Sequence, residues 1–346
     1  MDRGRWRPPL TLLVGAGFAL LVATVLVTVT IGPAQIAVAD VARSIAGHLG
    51  LGGFAGADGV PRLLDAIVWD LRLPRVLTAG AVGAGLALAG AVMQSLTRNA
   101  LADPYLLGLS SGASLGAVAV LVVGVGLLLP VAAFAGALLA LVATLTLART
   151  GGVLTPGRAV LAGLAVSQLC AAGTSFVIFW TATGDSYREI LSWLMGSLAG
   201  TTWSSVAISG VALLAVGAVL LVSATRLDAF AFGDTAAAAL GIDVERTRWT
   251  LMTLVALLTG AMVAVSGAIG FVGLVLPHAV SVATGPAHRR LLPVAALCGA
   301  VFLIWADTLA RTVFDPRELP VGIITALIGV PVFAVILRRG RGAAWS

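Results

Sequence analysis

The stretch Arg98-Asn99-Ala100-Leu101-Ala102-Asp103-Pro104-Tyr105-Leu106-Leu107-Gly108-Leu109-Ser110-Ser111-Gly112-Ala113 separates two long apolar runs, and its reading decides the fold. Backbone at membrane depth must satisfy its own hydrogen bonds. An arginine, an aspartate, a proline and paired serines between apolar runs therefore either turn at a membrane surface or line something wet. A plain reversal needs only a few polar residues with Gly or Pro. This segment is longer than that and runs on into a helix start made of small residues. A simple cytoplasmic turn and a functional segment are the two readings it admits.

The composition fixes the class. The chain has 346 residues, 59% hydrophobic and 10% charged, with mean hydropathy +1.06, which a water-soluble domain of this size does not show. It reads as an all-α polytopic membrane protein forming a single transmembrane domain over 1–346. The net charge of +6 and pI near 10.8 do not point to nucleic acid, because the arginines cluster at the ends of apolar runs. All 21 basic residues are arginine, so the lysine-dependent G-x-x-x-x-G-K-[ST] phosphate loop is absent. Any ATP used must be bound by another chain. Cys170 and Cys298 lie far apart in apolar runs and read as small buried hydrophobes.

Apolar runs long enough for a bilayer begin at Leu10 to Ile31; a cleaved signal is the rival reading there, with Ala37-Val38-Ala39 as a cleavage-like site. Residues 32–72 are the longest segment between spans. Ile36 to His48 has amphipathic spacing, Gly50 to Gly59 is glycine-rich, and Leu63 to Trp69 is expected to be a short helix ending at Asp70. Span two, Leu73 to Leu96, carries Gly80, Gly83, Gly85 and Gly90 among alanines, the pattern of a helix packed closely on all sides. Further spans are expected at Leu106 to Val125, Leu129 to Leu147, Val160 to Trp180 and Val206 to Val222. Ser186 to Glu189 has capping-box spacing before a short interfacial helix with Ile190, Leu191, Leu194 and Met195 on one side. The polar segment Ser223 to Arg248 predicts two short helices, with Asp234 as a cap, Gly241 as a terminator and Asp243 as the next cap. The last four spans are Thr250 to Ser266, Phe271 to Ala283, Leu291 to Thr308 and Leu319 to Leu337.

Ten spans place both termini on one side. Taking that side as cytoplasm puts 14 of the 21 arginines inside, from Arg3, Arg5 and Arg7 to Arg338, Arg339 and Arg341. Segment 32–72 then lies outside the cell, and the helices of 227–245 lie inside.

Ion-coupled transporters need carboxylates within the bilayer. The spans hold one candidate, Asp307, with Arg311 one turn on, where a structural pair is expected. His48, His278 and His288 have no metal-ligand or nucleophile spacing, so neither catalysis nor a metal site is expected. Arg72 and Arg75 around Leu73-Pro74 either anchor a helix at headgroup level or meet carboxylates on a soluble partner. The helices around Asp234 to Gly241 are either a capped loop or a rigid lever that a soluble motor grips.

Taken with Gly90-Ala91-Val92-Met93-Gln94, Trp193-Leu194-Met195-Gly196-Ser197, Gly270-Phe271-Val272-Gly273-Leu274-Val275-Leu276-Pro277-His278, Glu318-Leu319-Pro320-Val321-Gly322 and Gly329-Val330-Pro331-Val332-Phe333, these runs resemble a known family in order and spacing. It is the permease subunit of the iron-siderophore, haem and vitamin B12 branch of bacterial ABC importers, and the likeness spans about residues 15–338. The resemblance implies the ten-helix type II ABC importer permease fold and a cytoplasmic-membrane location. It also implies a second permease subunit, identical or related, two cytoplasmic ATPase subunits holding ATP and Mg, and an extracytoplasmic binding protein. No cofactor is implied for this chain. By the same resemblance Arg72, Arg75 and Arg311 would dock the binding protein. Asp234, Thr235, Ala236, Ala237, Leu240 and Gly241 would form the coupling helix. Gln94, Asn99, Ser110, Ser111, Gly112, Pro277 and His278 would fall on the translocation path or its gate. Ala100 stands where the family usually has proline, and Ser281 where arginine commonly follows. An ion-coupled secondary transporter of lipophilic solutes and a receptor or scaffold without a transport cycle are the alternatives.

Overall fold

The structure, a computed structural model, describes residues 9–34, 36–50, 60–125, 128–149, 155–181, 184–314 and 317–340, and among these every regular element is helical. Helix α1 is Leu10–Thr30, α2 Val38–His48, α3 Arg62–Ala66 and α4 Leu73–Thr97. After a 3₁₀ turn at Pro104–Leu107 come α5 (Leu109–Val123), α6 (Leu129–Ala148), α7 (Pro156–Thr181) and α8 (Gly184–Leu194). Then follow α9 (Trp203–Val222), α10 (Ala224–Ala231), α11 (Asp234–Ala239) and α12 (Val244–Ser266). The chain closes with α13 (Val272–Thr284), α14 (His288–Thr312) and α15 (Val321–Gly340).

Seven of these stretches are long and apolar enough to cross a membrane, and three more apolar helices, α5, α13 and α15, are shorter. The chain is an integral membrane protein. Helix α4 is its hub, packed against α1, α9, α12, α13 and α14. Lipid offers no hydrophobic drive for helices to associate, so close backbone approach must supply the contact energy. Glycine makes that approach possible. A Cβ on Gly83 would lie 2.1 Å from the Gly299 carbonyl oxygen of α14, and one on Gly90 would lie 1.9 Å from that of Gly273 in α13. Gly112 of α5 and Gly136 of α6 repeat the device, each with a carbonyl of the other within 2.5 Å of a built Cβ.

Three sequence expectations are corrected. The helix over Leu63 to Trp69 does not end at Asp70: it passes through a π-helical segment, Ile67–Arg72, straight into α4. The wider π turn frees a carbonyl, that of Trp69, and the Trp203 indole N–H donates to it at 3.1 Å. Helix α8 begins at Gly184, ahead of Ser186, and of the four residues expected on one apolar side Ile190 is buried and Leu194 half-buried, while Leu191 and Met195 are exposed. Cys298 is exposed on α14 instead of buried, and neither cysteine is in a disulfide. The glycine-rich residues 51–59, the arginines at 3, 5 and 7, and Arg341 lie outside the described residues.

Candidate functional site

Helices α4 and α14 run the length of the bundle and carry polar groups at both ends. At one end, Arg75 in the first turn of α4 donates from Nε and Nη2 to both oxygens of Asp307 near the end of α14, at 2.9 and 3.0 Å. Its Nη1 donates to Glu318 at 2.8 Å. Asp307 is 2% exposed, so this fork-to-fork pair is desolvated on the acid side, where a bidentate partner is what a buried carboxylate requires. The expected pairing of Asp307 with Arg311 is thus replaced by one with Arg75.

Arg311 and Arg72 instead fasten the end of α1. Arg72 donates to the carbonyls of Val29 (2.8 Å), Thr30 (3.1 Å) and Ala34 (2.8 Å), and Arg311 donates to Thr28 at 2.6 Å. The last carbonyls of a helix lack partners and carry its negative dipole end, so two guanidinium groups satisfy both needs at once. Gly32 leaves room for this: a Cβ there would sit 2.6 Å from Arg72 Nη2. Arg72 and Arg311, expected to dock a binding protein, are here buried and turned onto the chain's own backbone. Arg75 is likewise engaged within the chain, and the exposed member of its cluster is Glu318. Stacked on this end is a cap in which Trp69 lies between His48 and Trp203, with ring centroids 4.0 and 4.7 Å away.

At the other end, α10 lies across the ends of α4 and α14, and α11 packs on α10 and α12. Ser95 of α4 donates to the Leu227 carbonyl at 3.2 Å. Asp228 Oδ1 accepts the His288 backbone N–H at 2.8 Å and lies 2.7 Å from His288 Nδ1, so α10 caps the N-terminus of α14 from outside that helix. Asp234 does not cap α11 as expected. It pairs with Arg248 of α12 at 2.8 Å, while Gly241, at φ +80°, ends the segment as expected. Asp243 caps α12 through the Arg246 N–H, also as expected. Arg98, left-handed at φ 50°, ends α4 and brings its Nη1 within 3.3 Å of where a Cβ on Gly233 would stand. The two segments singled out separately in the sequence, around Arg98 and around Asp234, therefore adjoin.

Between these ends, Gln94 donates to the carbonyls of Gly273 (3.3 Å) and Leu274 (3.0 Å) at the start of α13. The Tyr105 hydroxyl donates to the Ile269 carbonyl at 3.0 Å, which closes the same junction from the 98–108 loop. Asp103 accepts the Tyr105 N–H, and burial pushes its carboxyl up to about 6. Asn99 folds back on the Leu101 N–H as a turn. Ser110, Ser111 and His278 are half-buried, and Pro277 is buried within α13. Gly112, expected on the path, faces α6, where the Gly136 carbonyl oxygen and Ala140 Cβ lie 2.5 Å from where a Cβ would stand. Asp228, Trp69 and Trp203 were not singled out in the sequence, where they look like ordinary loop and interface residues. Among the described residues no three His, Cys, Asp or Glu side chains converge as a metal site.

The FecCD transport family model matches residues 20–339. The chain belongs to that family. It is accordingly an ABC transporter permease, a membrane component that is not itself an enzyme. Its FecCD relatives include the cobalamin import system permease protein BtuC of Halobacterium salinarum, 40% identical over 93% of this chain and 95% of that protein. The hemin transport system permease protein HmuU of Yersinia pestis is 43% identical over 79% of this chain and 84% of its own length. A solved structure described as an inward-facing metal-chelate type ABC transporter superposes with a TM-score of 0.79 at 30% identity, covering 94% of this chain and 99% of that one.

Proposed function

We propose that this chain is one half of the membrane pore of an ATP-driven importer for an iron chelate, haem or corrinoid, working by alternating access. On this reading the three shorter apolar helices complete ten spans, both termini are cytoplasmic, and two ATPase subunits grip α10 and α11. The observation that carries it is the attachment of those two helices. Through Ser95, Asp228 and Asp234 they are tied to α4, α14 and α12, so a push on them reaches the bundle core as rigid-body motion. The relatives' names, for cobalamin and hemin import, support a large chelate as cargo. Asp307, the carboxylate expected within the spans, is held on both oxygens by Arg75, which speaks against its serving as an ion-coupling site.

The second permease subunit, the two ATPase subunits and an extracytoplasmic binding protein complete the proposed assembly, with Gln94, Pro277 and His278 at the inner gate. The test is uptake of loaded binding protein's cargo into proteoliposomes. ATP-dependent accumulation is expected only when the ATPase is present. Uptake by the subunit alone, driven by an ion gradient, would overturn the reading.

A further inference from the structure

Two hollows on the outer side of the bundle meet at one residue. The first, of about 510 Å³, is an apolar furrow between α1, α4, α9 and α14, floored by Ala81 and walled by Phe18, Leu214 and Leu297. The second, of about 770 Å³, lies where α9 runs into α10 and is bounded on its far side by Leu240 and Ile242, just past α11. Ala218 of α9 lines both. From Leu213 to Val222, the stretch of α9 that borders the two hollows covers ten residues, about 14 Å from first to last along a helix axis. That is close to half of the roughly 30 Å hydrocarbon core, the depth of one leaflet.

The chemistry changes along this channel. The furrow is lined almost wholly by carbon, whereas the second hollow ends at Arg226, an exposed arginine that forms no ion pair among the described residues. An apolar slot one leaflet deep with an unneutralised guanidinium at its mouth is complementary to one class of molecule. We propose that the two hollows together hold one anionic glycerophospholipid, with an acyl chain in the furrow between α1, α4, α9 and α14 and its phosphate on Arg226. A phospholipid of zwitterionic headgroup fits the furrow but leaves the guanidinium without net compensation. A second copy of this chain would have to bring its own carboxylate to the same arginine. The headgroup so placed touches the turn after α11, which links lipid composition to the position of that helix.

The full chain is reconstituted in phosphatidylcholine nanodiscs with increasing phosphatidylglycerol; retained lipids are counted by native mass spectrometry and melting is followed in parallel. A juxtamembrane arginine is expected to favour the anionic lipid by about fivefold, with a matching rise in melting temperature. Arg226→Gln should erase that preference and Arg226→Lys should keep it. Ala218→Phe, which seals the junction, should cut retention of both lipids while the protein melts normally in phosphatidylcholine alone. Equal retention of the two lipids by the unaltered chain, or an undiminished preference in Arg226→Gln, would overturn the proposal. So would a lipid-free dimer that Ala218→Phe dissociates. Stabilisation by inorganic phosphate equal to that by phosphatidylglycerol would also reject it, by reducing the site to an anion-binding arginine.

Discussion

Arg75 and Asp307, 232 residues apart in sequence, join the start of α4 to the end of α14 through two parallel hydrogen bonds. Removing one partner of such a pair leaves an uncompensated charge in poorly solvated surroundings, at a cost of about 3 kcal/mol. Asp307→Ala should therefore melt well below the unaltered chain in detergent, and Asp307→Asn, which retains one acceptor, should fall between them. Glu318→Ala removes only the exposed contact and should change stability by about 0.5 kcal/mol or less. Equal melting of Asp307→Ala and the unaltered chain would show that the pair contributes nothing.

The glycines of α4 divide sharply from those in open space. Gly90→Ala drives a methyl to 1.9 Å from the Gly273 carbonyl oxygen, so α4 and α13 must separate, costing about 1–3 kcal/mol and loosening the junction held by Gln94. Gly210→Ala in α9 meets nothing within 4 Å and should gain up to about 1 kcal/mol from helix propensity. Melting temperatures of the two variants should move in opposite directions.

Asp103 gives a pH dependence of definite sign. Its carboxyl is raised from 3.8 to about 6 in the fold, burial being the main cause and the Tyr105 N–H a smaller opposing one. Between those values the folded chain holds more protons than the unfolded one. Stability from this group is therefore full below about pH 4, is lost as pH rises toward 6, and is level above that. Asp103→Asn keeps an acceptor for Tyr105 and removes the titration. The difference in melting temperature between variant and unaltered chain should grow, in the variant's favour, from pH 4 to pH 6. A difference independent of pH would contradict this.

Asp234 and Arg248 test the lever. The aspartate is 43% exposed, so loss of the ion pair should cost about 1 kcal/mol or less in stability. If α11 transmits motion to α12 through this pair, a comparable shift in its position equilibrium should lower ATP-coupled uptake by about fivefold while melting barely changes. Asp234→Asn measured in the assembled transporter decides it: uptake that tracks melting would reduce the pair to a surface contact.

Much of the architecture was legible because lipid imposes simple rules. Glycine spacing in Leu73 to Leu96 marked α4 as the central helix, and helix-ending glycines with Asp243 marked α11 and α12. The partners of the arginines within the chain were not legible, for a physical reason. In sequence, Arg72, Arg75 and Arg311 are three cations near apolar ends, and nothing local tells whether their acceptors are carboxylates elsewhere or main-chain carbonyls. The carbonyls of Thr28 to Thr30 leave no mark in sequence, since every residue has one. The π turn at Ile67–Arg72 was equally hidden, because its stabilising donor, Trp203, lies 134 residues from Trp69.

Composition and the order of apolar runs by themselves determined that this chain crosses a membrane, is helical and holds no lysine-dependent nucleotide loop, because bilayer depth and backbone hydrogen bonding act on short windows of residues. Only the tertiary structure decided which charges meet. Pairing in a poorly solvated interior depends on where helix ends arrive in space, and that is set by the packing of α4 against its neighbours and not by any single stretch of the chain.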